Sequence, residues 1–246
     1  MKLNCKEMQY ISKISNSLYD RIKVEFLYHS NHLEGSTFSK ENLEKLITDN
    51  IVEGNHAIDD ILETNNSLEV FDQVIKDSIE PLDKYMLFKW HKLLKRGTVD
   101  EEIHNTGMWK KYENRLKGDD LKLASPLEVD NLMYNLLMDW QEIKNATIID
   151  IAKFHYKFER IHPFQDGNGR IGRFIILKQC LDANIDLIAI DDEYKDEYRD
   201  ALYKAQVTDD VKDLVIVFEK CQRRLDEKMN DFKPMVEKIK EEISFL

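Results

Sequence analysis

HPFQDGNGR, residues His162 to Arg170, packs a histidine, an acidic residue, an asparagine between two glycines and an arginine into nine positions. The whole chain of 246 residues holds only 8 glycines and 4 prolines, yet two of those glycines and one of those prolines fall here. Pro163 disfavours an α conformation for the residue before it, so a helix arriving at this point ends at or before His162 and projects the imidazole into a loop. Gly167 and Gly169 bracket the start of the next helix. There, unpaired N–H groups and the helix dipole create an anion site, and the missing side chains let phosphate oxygens approach. The stretch therefore predicts helix, phosphate-binding loop, helix.

Working outward, the flanking segments agree. Helical periodicity runs from Ile148 to Ile161 before the loop, and a long apolar helix follows it through Phe174, Ile175, Leu177 and Leu181. Nearer the N-terminus, Ile11, Ile14, Leu18, Ile22, Phe26 and Leu33 recur at helical steps, which predicts one long amphipathic helix from Tyr10 that stops at Gly35. Ser39 is a cap for a second helix through Leu46, with Glu41 in its first turn. Further helices are expected over about 57–77 and 82–96, separated by Pro81, over 127–144, from near Asp192, and from about Val211 with an interruption at Pro234. The pattern changes only between Trp109 and Pro126, where period-two elements around Lys117, Gly118 and Asp119 predict a short β-hairpin.

Composition sets the bounds. A hydrophobic fraction of 42% supports a real core, and scarce glycine and proline favour long helices. The net charge of −11 argues against nonspecific duplex binding, which depends on a basic surface. Cys5, Cys180 and Cys221 are odd in number with no CxxC spacing, so neither a disulfide framework nor a zinc site is indicated. The segment MKLNCKEMQY has no apolar signal region, and no apolar run approaches membrane-spanning length. A cytoplasmic location is expected.

The loop carries its own chemistry. His162 supplies a base that ordinarily titrates near neutrality. Asp166 is a hard oxygen ligand suited to Mg²⁺ shared with phosphates, with Mn²⁺ as an alternative. Arg170 and Arg173 lie three apart on the following helix, hence on one face, where both can neutralise phosphate. Each residue alone is ordinarily structural. The eight fixed positions of His-x-Phe-x-Asp-Gly-Asn-Gly-Arg-x-x-Arg, however, would recur by chance on the order of once in ten billion starting positions.

HPFQDGNGRIGR resembles the signature of the Fic family at every defining position, and the likeness extends through FHYKFERIHPF and the upstream hairpin, over roughly residues 20 to 220. It implies a mainly α fold, the Fic helical bundle with a small β-hairpin flap near the active site. It also implies a protein adenylyltransferase, in which His162 deprotonates a Ser, Thr or Tyr hydroxyl that attacks the α-phosphate of ATP. By the same resemblance Phe164 anchors the loop, Asp166 holds Mg²⁺, and Asn168 with the amides of Gly167 and Gly169 holds the α-phosphate. Arg170 and Arg173 take the remaining phosphates, and Tyr198 and Gln206 contact adenine by a looser alignment. The related Doc-like branch, which phosphorylates, departs from the Gly-Asn-Gly pattern kept here.

SNHLEG, Ser30 to Gly35, resembles the inhibitory motif of class II Fic proteins, carried on an N-terminal helix. It implies that Glu34 pairs with Arg173 and bars ATP from a productive pose. His29, His32 and Glu25 stand nearby but match no zinc spacing. The domain reading is residues 1–55 for the N-terminal helices with Ser30, Glu34 and Gly35, 56–210 for the catalytic core and 211–246 for a C-terminal helical extension. Expected partners are ATP, a target protein docking on the 112–123 hairpin, the chain itself as acceptor, and a second copy in a homodimer, with no membrane and no nucleic acid. Transfer of another nucleotide or of phosphate, removal of AMP, or a silent nucleotide-sensing module are the alternatives.

Overall fold

The computed structural model describes residues 2–115 and 121–244. The helices in chain order are α1 (Cys5–Ile11), α2 (Leu18–Leu33), α3 (Lys40–Asp49), α4 (Ile58–Lys76), α5 (Lys84–Leu94) and the short α6 (Val99–Glu102). They continue with α7 (Pro126–Gln141), α8 (Ile148–Ile161), α9 (Asn168–Asp182), α10 (Lys195–Thr208), α11 (Lys212–Lys228) and α12 (Lys233–Ser244). The capping residues say why they start where they do. Ser39 Oγ accepts the Asn42 N–H at the head of α3, and Asp83 does the same for Met86 at the head of α5. Ser125 and Thr147 open α7 and α8 with reciprocal capping boxes to Glu128 and Asp150.

α9 is the axis of the molecule. Ile171, Phe174, Ile175, Ile176, Leu177, Cys180 and Leu181 are each at most 1% exposed, so the helix is buried on all sides. α1, α2, α4, α5 and α8 all pack against it, and one continuous hydrophobic core runs from Leu3 to Ile239. Burying this helix completely places its N-terminus, and the loop that feeds it, at a fixed point at the edge of the core. No helix among the described residues is long and apolar enough to cross a membrane.

Two expectations need correction. The long first helix is two, α1 and α2, because Ser17 and Asp20 form a capping box and Ser17 Oγ also closes onto the Ile11 carbonyl at 3.1 Å. Helical spacing survives the break, since Ile11 and Leu18 on either side of it are both fully buried. The expected hairpin is not a hairpin among the described residues: 112–115 and 121–123 contain no strand, and 116–120, with the expected turn, lie outside the described residues. The polar groups of the segment go elsewhere. Lys110 N–H donates to the Pro163 carbonyl at 2.7 Å, Tyr112 N–H to Gln165 Oε1 at 3.2 Å, and Asn114 Nδ2 to the Phe164 carbonyl at 3.0 Å. The chain braces the His162 loop instead of a neighbouring strand.

Candidate active site

α8 ends at Ile161, and His162 caps it in the left-handed region at φ 51°, its N–H still donating to the Phe158 carbonyl. The ring Nδ1 lies 3.3 Å from the carbonyl of Glu159. A carbonyl can only accept, so the proton sits on Nδ1 and Nε2 is left as the basic atom. Burial lowers the His162 pKa to about 4, with the Glu159 carbonyl pulling the other way. The imidazole is therefore neutral at physiological pH, not titrating near neutrality as the sequence alone suggests.

The loop after it is stiff. Phe164 is fully buried and stacked on His91, with ring centroids 4.1 Å apart and planes 7° from parallel. Asn168 accepts from the Phe164 N–H at 2.8 Å and donates to the Phe164 carbonyl at 2.9 Å. Its side chain braces the loop from within, and the amides at the head of α9 are what remain to face an anion. Gly167 caps α9 at φ +78°, a conformation that L residues rarely adopt.

Around Asp166 the structure adds three residues that sequence reasoning missed. Lys95, at the end of α5 and only 2% exposed, donates to Asp166 Oδ2, to Glu63 Oε1 at 2.5 Å, and lies 3.0 Å from Asp100. His91 Nε2 donates to the Asp166 carbonyl at 3.0 Å, its Nδ1 accepting from Gly107 N–H. Glu63, from α4, grips Arg170 Nη1 at 2.6 Å. Burial opposes ionisation of Asp166, but Lys95 and Arg170 overcome it and hold the carboxyl down at about 2. The side chain remains 61% exposed.

Arg173 points the other way, toward α2. Its Nε donates to Ser30 Oγ at 2.9 Å, and Nη2 donates to the Ser30 carbonyl at 3.0 Å and to Glu34 Oε1 at 2.6 Å. Glu34 is the C-cap of α2, and Gly35 turns the chain away at φ +94°. Burial works to raise the Glu34 pKa, while Arg173 and Arg170 together bring it below the usual carboxylate range. The carboxylate lies directly over Gly169, so close that a Cβ there would collide with Glu34 Oε1 and come within 3.1 Å of Arg173 Nη1. Ser30, Glu34 and Gly35 are thus assembled with Gly167, Gly169, Arg170 and Arg173 at one helix N-terminus.

Tyr198 is 5% exposed with its hydroxyl 2.7 Å from His155 Nε2, and Gln206 is 3% exposed, so the structure places both expected adenine contacts in the interior. His29 does meet carboxylates, with Nδ1 2.9 Å from Asp192 and Nε2 3.4 Å from both Glu25 and Asp191. Cations stand among them: Lys228 Nζ lies 3.0 Å from Glu25 and 3.1 Å from Asp191, Lys40 pairs with Glu25, and Arg224 Nε lies 3.1 Å from Asp191. His32 Nδ1 joins at 3.0 Å from Asp192, and the cluster ties the second half of α2 to α11.

Residues 81–180 match the model of the Fic/DOC family. These residues carry the likeness to a Fic domain. The chain is 33% identical over 119 residues to a probable protein adenylyltransferase of Aquifex aeolicus, covering 47% of this chain and 34% of that protein. It is 23% identical over 208 residues to the protein adenylyltransferase Fic of Aedes aegypti, covering 82% of this chain and 40% of that one. The chain thus spans between about a third and two fifths of the length of these relatives. In fold it is similar to a Fic-domain signalling protein of Bacteroides thetaiotaomicron, with a TM-score of 0.71 at 22% identity over 93% of this chain and 89% of that one. A Fic family protein of Desulfovibrio desulfuricans gives a TM-score of 0.68 at 24% identity over 92% of this chain and 73% of that one.

Proposed function

We propose that this Fic domain is a Mg²⁺-dependent protein adenylyltransferase, moving AMP from ATP to a Ser, Thr or Tyr hydroxyl of a target protein or of itself, and held in check by Glu34 in the class II manner. The observation that carries the reading is the position of the Glu34 carboxylate. It stands over Gly169 at the head of α9, bonded to Arg173, which is the place and the partner a nucleotide phosphate needs. Arg170 Nε, buried and without a hydrogen-bond partner among the described residues, is left as a further donor.

In this reading His162 Nε2 takes the proton of the acceptor hydroxyl. The oxygen forms a bond to the α-phosphorus, the bond to the bridging oxygen breaks, and pyrophosphate leaves. The amides of α9 and the two arginines receive the charge on the phosphates. Asp166 fits Mg²⁺: it is an exposed, firmly ionised hard ligand, and one carboxylate plus phosphate oxygens is how that ion is commonly held. The metal would neutralise charge shared between phosphates.

Mass spectrometry of Glu34→Gly protein incubated with ATP and Mg²⁺ tests the reading. A gain of AMP mass supports it, a gain of phosphate alone points to kinase chemistry, and no gain at all contradicts transfer. His162→Ala should lose transfer while still binding ATP, because a general base contributes about 10² to 10⁴ in rate. Full activity in that variant would remove His162 from its role.

A further inference from the structure

One ionisable group beneath the site has no part in the scheme above. Glu159 lies one turn before His162 on α8, and the residue is 6% exposed. Its Oε2 is 3.8 Å from His162 Nδ1, and its Oε1 is buried with no hydrogen-bond partner among the described residues. Gly172 makes room for it, since a Cβ at that position would stand 2.5 Å from Oε1. A buried carboxyl with an orphaned oxygen destabilises a fold, and an apolar side chain of similar volume would pack there without that penalty. Stability does not account for a carboxyl here.

His162, meanwhile, is a weak base. Its burial favours the neutral ring, whereas catalysis requires it to carry a proton on Nε2 while Nδ1 keeps its own. We propose that Glu159 is a positioning residue for His162: its carbonyl holds the ring by Nδ1, and its carboxyl, once ionised, steadies the positive charge the ring acquires on taking the acceptor's proton. The inference rests on the reading of His162 as the base. No bond to Glu159 forms or breaks in transfer, and its own proton exchanges with solvent.

The surroundings decide when that ionisation occurs. Burial is the largest influence and pushes the Glu159 acid up to about 8; Arg173 from α9 favours the charge and Glu34 from α2 opposes it. His155, on the same helix, is kept neutral by burial, with its pKa lowered to about 3, and is bonded to the Tyr198 hydroxyl of α10. Withdrawal of Glu34 therefore removes an opposing charge from Glu159 as well as freeing Arg173. One movement prepares the phosphate side and the base side of the site together.

The test compares Glu34→Gly protein carrying Glu159 with the same protein carrying Glu159→Gln, which keeps size and shape but cannot ionise. The first readout needs no turnover: the NMR signals of the His162 ring are followed with pH. With Glu159 they should move through an inflection at or below about pH 8, and with Gln that inflection should be missing. The second readout is the rate of AMP incorporation. A carboxylate at this range raises a neighbouring base by roughly 1–3 pKa units, so kcat should rise about tenfold across the inflection with Glu159 and stay level with Gln, with KM for ATP unchanged in both. Identical His162 titrations in the two proteins overturn the proposal. So does a Glu159→Gln variant that differs only in thermal stability. Such a difference is itself expected, because an acid raised from its ordinary value to about 8 loses stability as pH rises across that interval. A Glu159-dependent inflection in protein that never transfers AMP would keep the positioning role and reject the transferase reading.

Discussion

Arg170 and Arg173 stand three residues apart on one helix, each almost fully buried and each 2.6 Å from a glutamate oxygen, yet the two pairs are built differently. The Arg170 partner, Glu63, projects from the first half of α4, also binds the buried Lys95, and has a side chain 22% exposed. The Arg173 partner, Glu34, is the C-cap of α2 before a glycine turn, and its side chain is 39% exposed. One arginine is fixed to the interior by a residue that also binds a second buried cation. The other is held by a carboxylate at a chain turn. In the proposed reading the Arg170 side is scaffold, and the Arg173 side is a latch.

The largest expected effect tests the scaffold. Glu63→Ala leaves Arg170 and Lys95 without their shared partner, and breaking a buried pair typically costs about 3–5 kcal/mol. Urea denaturation should register a loss of that order, with no gain in AMP transfer. A near-neutral effect on stability would make Glu63 no more than a second latch. Glu34→Gly should fall well short of that loss, because its carboxylate is more than a third exposed and solvent takes over its role.

Next in size is Gly169→Ala. The added methyl would stand where the Glu34 carboxylate now lies, so it should both expel Glu34 and obstruct a phosphate. ATP affinity measured by calorimetry should drop by about tenfold or more, roughly 1.4 kcal/mol per tenfold, and activity should not rise although the latch is open. An activated Gly169→Ala enzyme would mean that the phosphate lies elsewhere.

How much of this was legible in the sequence follows from where each partner comes from. The His162 to Arg173 stretch is contiguous, so its loop geometry could be read from Pro163 and the glycines, and SNHLEG pointed to the Glu34 contact with Arg173. Lys95, His91 and Glu63 reach Asp166 and Arg170 from helices some 70 to 107 residues away, and a lysine at a helix end ordinarily reads as solvated. The split between α1 and α2 was hidden because the buried Ile11 and Leu18 keep a helical spacing across Ser17. The period-two pattern after Trp109 suggested a hairpin, but its backbone found its acceptors in the His162 loop instead. An aromatic such as Tyr198 looks the same in sequence whether it faces a ligand or the core.

The smallest effect concerns that residue. Tyr198→Phe removes one hydrogen bond to His155 in the interior and should cost about 1 kcal/mol of stability while leaving ATP affinity unchanged. A weakened nucleotide Kd with unaltered stability would return Tyr198 to the adenine pocket and loosen the distinction between framework and site.

The latch itself is tested most directly by the rate of AMP incorporation in wild type, Glu34→Gly, Arg173→Ala and the double variant, at saturating ATP with the fold verified. Glu34→Gly should be faster than wild type by about a hundredfold, which at 1.36 kcal/mol per tenfold is about 2.7 kcal/mol, within reach of one charge-assisted pair. The gain should vanish when Arg173→Ala is added, because the freed guanidinium is what acts on the phosphates. Wild-type rates in Glu34→Gly, or a gain that persists without Arg173, would contradict the account.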